Sequence, residues 1–536
     1  MGWLDHILII PIVLPLIAGA VMLLIQERQR RLKAVINLAS VIALIGVGIV
    51  LLYLTDTLPQ ALVYRLGNWP VPFGIVLVAD RLAAIMVLLT AVLALASLVF
   101  SLARWHRAGS HFHSLFQFLL MGLNGAFLTG DLFNLFVFFE LLLAASYGLA
   151  LHGSGILRVR AGLHYIAINL AASFLFLIGV SLIYSVTGTL NMADLAMRIP
   201  ELPAENRSLM EAGAALLGIA FLVKAGIWPL CFWLPNTYAA AAPPVAAMFS
   251  IMSKLGIYVI LRLWLLLFGE DSGTSAFLGS EWLLVGAIAT IMFGVIGALA
   301  AQDMARLASF TVLISSGTVL AAIAVGQAGV TGPALFYLVS STVAIAALFM
   351  LIELVERGRD PFADVLAVTR EAYGEDEDEE EEEIGIVIPA TVAILGLCFM
   401  GCTLVIAGLP PLSGFIAKFA ILTALFNAPG AEASLAPITW ILLVLLMLSG
   451  LMTLIAMTRA GIRTLWTPSE RIVPRVGVVE IIPIILLLLI SVTLTVRAEP
   501  AMRYMQAAAG AIHAPDGYIN SVLAPVAKPA KKGGSP

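Results

Sequence analysis

The run Asp131-Leu-Phe-Asn-Leu-Phe-Val-Phe-Phe-Glu140-Leu-Leu-Leu-Ala-Ala-Ser146-Tyr147-Gly148-Leu-Ala-Leu151 decides how this chain is read. It has the length, ~20 residues, that a helix needs to cross a ~30 Å hydrocarbon core. Glu140 lies in its middle, about 13 Å along the helix from Asp131 at ~1.5 Å per residue. Its neighbours Phe138, Phe139, Leu141 and Leu142 offer nothing that solvates a carboxylate. A charge at that depth costs at least ~2.5 kcal/mol unless it is neutralised or paired, so it marks a proton or ion path. The bland alternative is a static partner for a lysine. A purely structural pair could be replaced by apolar packing at little loss, which favours the functional reading.

The rest of the chain agrees in class. Of 536 residues, 61% are hydrophobic and 12% charged, against roughly 25% charged in soluble domains. The net charge of −4 arises largely from one acidic run, Glu375 to Glu383. Like charges in succession repel and stay solvated, so the run reads as a solvated loop or a cation collector. The three cysteines, Cys231, Cys398 and Cys402, all fall in apolar segments and read as small buried hydrophobes without metal spacing. Trp3-Leu4-Asp5-His6 has no basic flank of a signal peptide, so the first span is expected to be retained. No phosphate-binding loop, dinucleotide, nucleophile-elbow or HExxH motif occurs, and nothing points to a cofactor, a metal or nucleic acid.

Fourteen spans are expected, near 4–25, 34–54, 76–103, 111–129, 131–151, 161–185, 209–238, 243–268, 276–300, 304–326, 332–355, 386–428, 437–458 and 478–497. The seventh carries Trp228-Pro229 and Pro235, and the twelfth carries Gly408-Leu-Pro410-Pro411-Leu-Ser413-Gly414. Proline removes a backbone donor, so both should break, and broken backbone is tolerated only inside protein or beside a wet cavity. Ala220-Phe221-Leu-Val-Lys224 and Gly414-Phe415-Ile-Ala-Lys418 echo one another five spans apart. An odd interval inverts the second unit, a recurring transporter design. The expected division is 1–103, an N-terminal three-helix segment; 111–268 and 276–458, two repeats, the second holding the acidic loop 356–385; 478–497, a last span; and 498–536, a disordered tail. Loops holding Arg28, Arg30, Arg31, Arg104, Arg107, Arg158 and Arg459 alternate with loops almost free of basic residues, which places the former in the cytoplasm and the N-terminus outside.

Lys224, Lys254 and Lys418 sit away from span ends, where snorkelling does not explain them. Desolvation and a nearby carboxylate pull a lysine pKa in opposite directions, which suits loading and release of a proton. Asp80, beside Arg81 at the start of the third span, and Arg262 are weaker path candidates. Asp131 and Asp303 read as helix caps, and His164 as an interior histidine.

These residues carry a family resemblance. The chain resembles the antiporter-like membrane subunits shared by respiratory complex I and the multisubunit Mrp (Mnh, Pha) monovalent cation/proton antiporters, and is most similar to their D-type subunits. The likeness runs to about residue 500 and rests on Gly67-Asn-Trp-Pro-Val-Pro-Phe-Gly-Ile75 with Asp80, and on Gly130 to Glu140 with Ser146-Tyr147-Gly148. Lys224-Ala-Gly-Ile-Trp-Pro-Leu230, Ser253-Lys254-Leu-Gly-Ile-Tyr258, and Leu409-Pro-Pro-Leu-Ser-Gly-Phe415 with Lys418 complete it. The resemblance implies an all-α fold of about fourteen spans, two inverted five-helix repeats and broken spans seven and twelve. It implies a Glu140–Lys224 pair, Lys254 as the central relay and Lys418 as the terminal lysine. It also implies a bacterial inner-membrane complex with partner subunits of types A, B, C, E, F and G, exchanging Na⁺ or K⁺ for protons. One departure stands out: where the family often carries a histidine and a lysine in the eleventh span, this chain has Ser340 and Ile345. The link between the halves then either relies on hydroxyls and water, with Ser340 and Ser341 as its candidates, or is interrupted there. The alternative is a proton-pumping subunit of a respiratory dehydrogenase or membrane hydrogenase. The Leu234-Pro-Asn-Thr-Tyr stretch speaks against it, because it lacks the histidine usual there.

Overall fold

The computed structural model describes residues 6–270, 272–357, 390–427, 437–466 and 476–524. The acidic run 375–383, Trp3 to Asp5 and the end of the tail lie outside the described residues. Three helices come first: α1 (Ile10–Leu24), α2 (Arg30–Thr57) and α3 (Arg81–Ala103). Then follow α4 (Phe112–Leu128), α5 (Leu132–Ala150), α6 (Ile156–Thr187), the short α7 (Met192–Arg198), α8 (Ala204–Ala225), α9 (Leu234–Ala240) and α10 (Pro243–Leu267). The second set is α11 (Ser280–Ala300), α12 (Met304–Ala324), α13 (Ala328–Glu356), α14 (Ala390–Ala407), α15 (Ser413–Phe426) and α16 (Pro437–Gly461). Helices α17 (Val478–Val496), α18 (Ala498–His513) and α19 (Asp516–Leu523) close the described chain.

Twelve of these helices are long and apolar enough to cross a membrane. With the shorter apolar α1 and α4 they make the fourteen expected spans, α8–α9 forming the seventh and α14–α15 the twelfth. Helices α10 and α13 are enclosed along their whole apolar length and form the axis of the molecule, whereas α2, α11 and α17 lie at its rim.

Local chemistry explains the element ends. Asp80, Asp131 and Asp303 accept backbone N–H groups at the starts of α3, α5 and α12, the cap role expected for the last two. Helix α8 stops at Gly226, whose φ of +69° is open chiefly to glycine. Helix α14 stops at Gly408, with φ +78°. The chain then runs unwound to α9 and to α15.

The two sets of spans pair in the same order. Helix α4 packs on α5 as α11 does on α12, and α6 packs on α8 as α13 does on α14. The helix that follows each break meets it through one glycine. A Cβ at Gly256 of α10 would stand 2.7 Å from Ala225 N, and one at Gly450 of α16 would stand 2.7 Å from Ala407 O. Small residues permit this approach of backbones. The correspondence between the two sets is therefore built into packing.

Four expectations change. The third span begins at Arg81, because 76–79 form a strand: β1 (Leu62–Arg65) and β2 (Val76–Ala79) pair antiparallel, Leu62 opposite Ala79. The hairpin shields strand edges that a helix would have satisfied internally. Residues 498–523, expected to be disordered, are helical. The strongly amphipathic α18 lays Met505, Ala508, Ala509 and Ile512 against the bundle, and this periodicity of small and apolar side chains is what composition alone does not reveal. His164 is exposed, edge-on to Phe232, rather than interior. Lastly, the Phe-x-x-Lys echo is not the repeated feature. Lys224 lies two residues before its break and Lys418 follows its own.

Candidate functional site

Lys224 closes the first half of the broken seventh span, at 6% exposure. Its Nζ donates to Ser173 Oγ of α6 at 3.4 Å and lies 4.9 Å from the centre of the Phe139 ring. Phe139 precedes Glu140 on α5, so the ring stands beside the ammonium as a cation–π neighbour. Glu140 is half-buried, with Oε1 enclosed and lacking a hydrogen-bond partner among the described residues. No hydrogen bond or short ion pair joins Glu140 to Lys224; the two act on each other through space. The site thus holds an unpartnered carboxylate oxygen near an ammonium kept by weaker contacts.

Lys254, on the axial helix α10, is completely enclosed. It donates to Ser315 Oγ at 2.8 Å and Ser316 Oγ at 2.9 Å, both on α12. Ser315 Oγ lies 2.8 Å from Ser341 Oγ of α13, and Ser341 donates to Tyr337 O at 2.7 Å. The direction is consistent throughout: ammonium to Ser315, Ser315 to Ser341, Ser341 to a carbonyl. Its neighbour Ser340 faces the other way and lies 2.7 Å from Ser413 Oγ, the first residue of α15. Lys418, at 7% exposure, donates to Ala407 O at 3.0 Å. That carbonyl is free because the helix ends there. A Cβ at Gly408 would stand 2.6 Å from Lys418 Cδ, so the niche exists only because this position has no side chain.

Thus Lys254, Ser340, Ser341 and the Lys418 break are brought into one polar chain across α10, α12, α13 and α15. Its hydrogen bonds are interrupted twice, between the consecutive residues Ser340 and Ser341 and between Ser413 and Lys418. Ser315, Ser316 and Ser413 do not stand out in the sequence. Adjacent hydroxyls inside an apolar span are the signal in α12. Asp80 and Arg262 form a closed unit instead: Nη1 to Oδ2 and Nη2 to Oδ1, each 2.6 Å. Asp80 does not pair with Arg81, which lies 3.8 Å from Asp56. Cys398 and Cys402 are buried free thiols, and no three-residue metal cluster exists among the described residues.

Fold and site together define the class: a polytopic helical membrane protein built on inverted repeats with broken spans and enclosed lysines. The sequence profile described as "NADH:quinone oxidoreductase/Mrp antiporter, TM" matches residues 129–442. Over 528 residues the chain is 60% identical to the D subunit of the probable K(+)/H(+) antiporter of Rhizobium meliloti (strain 1021), covering 97% of this chain and 98% of that one. It is 34% identical over 529 residues to the D subunit of the Na(+)/H(+) antiporter of Alkalihalophilus pseudofirmus, covering 97% and 100%. A chain of the Mrp complex from Dietzia sp. DQ12-45-1b superposes with a TM-score of 0.81 over 98% of this chain and 100% of that one, at 24% identity, a likeness of fold. The chain belongs to the NADH:quinone oxidoreductase/Mrp antiporter membrane family.

Proposed function

We propose that this chain is the D-type, proton-translocating subunit of a multisubunit monovalent cation/proton antiporter. It would work with partner subunits of types A, B, C, E, F and G in a bacterial inner membrane, its N-terminus outside and its arginine-rich loops in the cytoplasm. The observation that carries the reading is the set of the half-buried Glu140 and the buried Lys224, Lys254 and Lys418, with buried hydroxyls lying between the last two. Glu140 stabilises protonated Lys224 through space. Movement of either group weakens that attraction, lowers the lysine's proton affinity and releases the proton towards Lys254. From there the hydroxyls of Ser315, Ser341, Ser340 and Ser413, with water across the gaps between Ser341 and Ser340 and between Ser413 and Lys418, carry it towards Lys418. Lys418 sits beside the unwound backbone of the second break.

The 60% identity to a chain of a probable K(+)/H(+) antiporter favours K⁺ over Na⁺ as the exchanged ion. The test is ΔpH-driven exchange in everted vesicles from cells expressing the complete operon, with K⁺ against Na⁺. Faster exchange with K⁺, abolished by Lys224→Ala, is expected. Undiminished exchange in the variant would contradict the reading.

A further inference from the structure

The Asp80–Arg262 unit stands at the end of the bundle that carries the β-hairpin, about 12 Å along α10 from Lys254 at ~1.5 Å per residue. Lys254, Tyr258 and Arg262 follow one another at four-residue spacing down one flank of that helix. The carboxylate oxygens and the guanidinium tips are committed to each other. The Arg262 guanidinium grips both Asp80 oxygens, Asp80 also caps α3 at Ala83 N, and Tyr258 donates to Phe127 O at 2.6 Å. The guanidinium carbon lies 5.7 Å from the Tyr258 ring centre and 5.2 Å from that of Tyr518.

Tyr518 belongs to α19, the second of the two terminal helices that follow the last span. These helices are fastened across the hairpin end. Arg65 of β1 donates to Val522 O at 2.9 Å and Ala524 O at 2.6 Å, and the Tyr504 hydroxyl lies 2.8 Å from Thr55 Oγ1. Helix α18 packs on α3, α10 and α13, and α19 on α7 and β1, so together they close the side towards which a proton on Lys254 would otherwise leave.

The geometry points to Arg262, held by Asp80 and covered by Tyr518, as an electrostatic seal that keeps the relay from leaking at the hairpin end. The pair is neutral overall, but it is a fixed dipole in a low-dielectric site whose guanidinium cannot accept a proton, so it offers a proton leaving Lys254 no station there. The bidentate carboxylate holds the guanidinium in place without freeing a carboxylate to accept a proton. This assignment rests on Lys254 lying on the proton path. Arg262 and Asp80 are positioning residues here, and neither is a relay station.

The experiment uses the complete complex in everted vesicles and follows the decay of an imposed ΔpH with no exchangeable cation present, per amount of assembled complex. Arg262→Gln with Asp80→Asn removes both charges together and leaves no unpaired one, whose isolation would itself be destabilising. A several-fold faster decay is expected, returned to the wild-type rate when Lys254→Ala is added. Tyr518→Ala, which keeps the ion pair, should raise the decay less and carries the test if the double variant fails to assemble. A wild-type decay rate in these variants would overturn the seal. So would a faster decay that Lys254→Ala does not suppress, since that is general loosening. Lys254→Ala alone with wild-type exchange would instead overturn the relay reading.

Discussion

The two broken spans solve the same problem with different partners. In the first, Lys224 ends the half-helix before the break and has a carboxylate, Glu140, within electrostatic range. In the second, Lys418 follows the break and leans on a backbone carbonyl, Ala407 O. The equal starts of α5 and α12 sharpen the contrast. Asp131 and Asp303 cap them, and nine residues further on stand Glu140 in one and Val312 in the other. Gly226 and Gly408 likewise end the first half-helices, and two residues before each stand Lys224 and Ile406. The two halves share the backbone pattern, with its breaks and glycine contacts, while their charges differ. On the proposed relay, control by a charge partner belongs to the first half, while the second supplies a backbone carbonyl and buried hydroxyls.

The largest effect should come from the backbone of the second break. A Cβ at Gly414 would lie 1.9 Å from Val405 O, an impossible contact with a carbonyl that cannot rotate away. Gly414→Ala should cost ~3 kcal/mol or more and prevent assembly, seen as loss of the complex on native gels. Gly226→Ala meets the flexible end of Leu234 at 2.6 Å with φ +69°. It should cost ~1–3 kcal/mol and lower the melting temperature of a complex that still assembles.

Next come the charges. Lys224→Ala and Lys418→Ala should each reduce ΔpH-driven exchange by tenfold or more. Glu140→Ala should do the same, whereas Val312→Ala should leave the rate within a factor of two. Equal loss from both α5 and α12 variants, at equal complex levels, would erase the contrast between the halves. Smaller again are the hydroxyls. Ser413→Ala and Ser315→Ala remove one link each, and a few-fold loss of exchange is expected, restored by threonine at the same position. Smallest of all, Asp303→Ala removes an exposed cap worth ~1 kcal/mol and should lower thermal stability slightly without touching exchange.

Much of this is legible in the residues. Span number and the two breaks follow from apolar length and from Pro229, Pro410 and Pro411, because proline's missing donor acts locally. The enclosed lysines are legible for the same reason: a charge in an apolar run has no local remedy. What escapes depends on neighbours distant in sequence. Ser315 and Ser413 look like ordinary small polar residues until α12, α13 and α15 meet. Asp80 stands next to Arg81 in the chain but finds Arg262 across the bundle. The α18–α19 helices escape because their apolar stripe is made largely of alanines and lies beyond the last span. The register of the repeat is misjudged from sequence because Phe221 and Phe415 precede lysines by chance, whereas the true markers are glycines that matter only in three dimensions.

The most direct measurement is exchange by the assembled complex carrying Glu140→Leu together with Lys224→Met. Both charges are then gone and the packing volume is nearly kept, so a pair that only fastens α5 to α8 would be dispensable. Normal complex levels with ΔpH-driven K⁺ exchange at least tenfold below wild type are expected. Normal complex levels with wild-type exchange would contradict the relay.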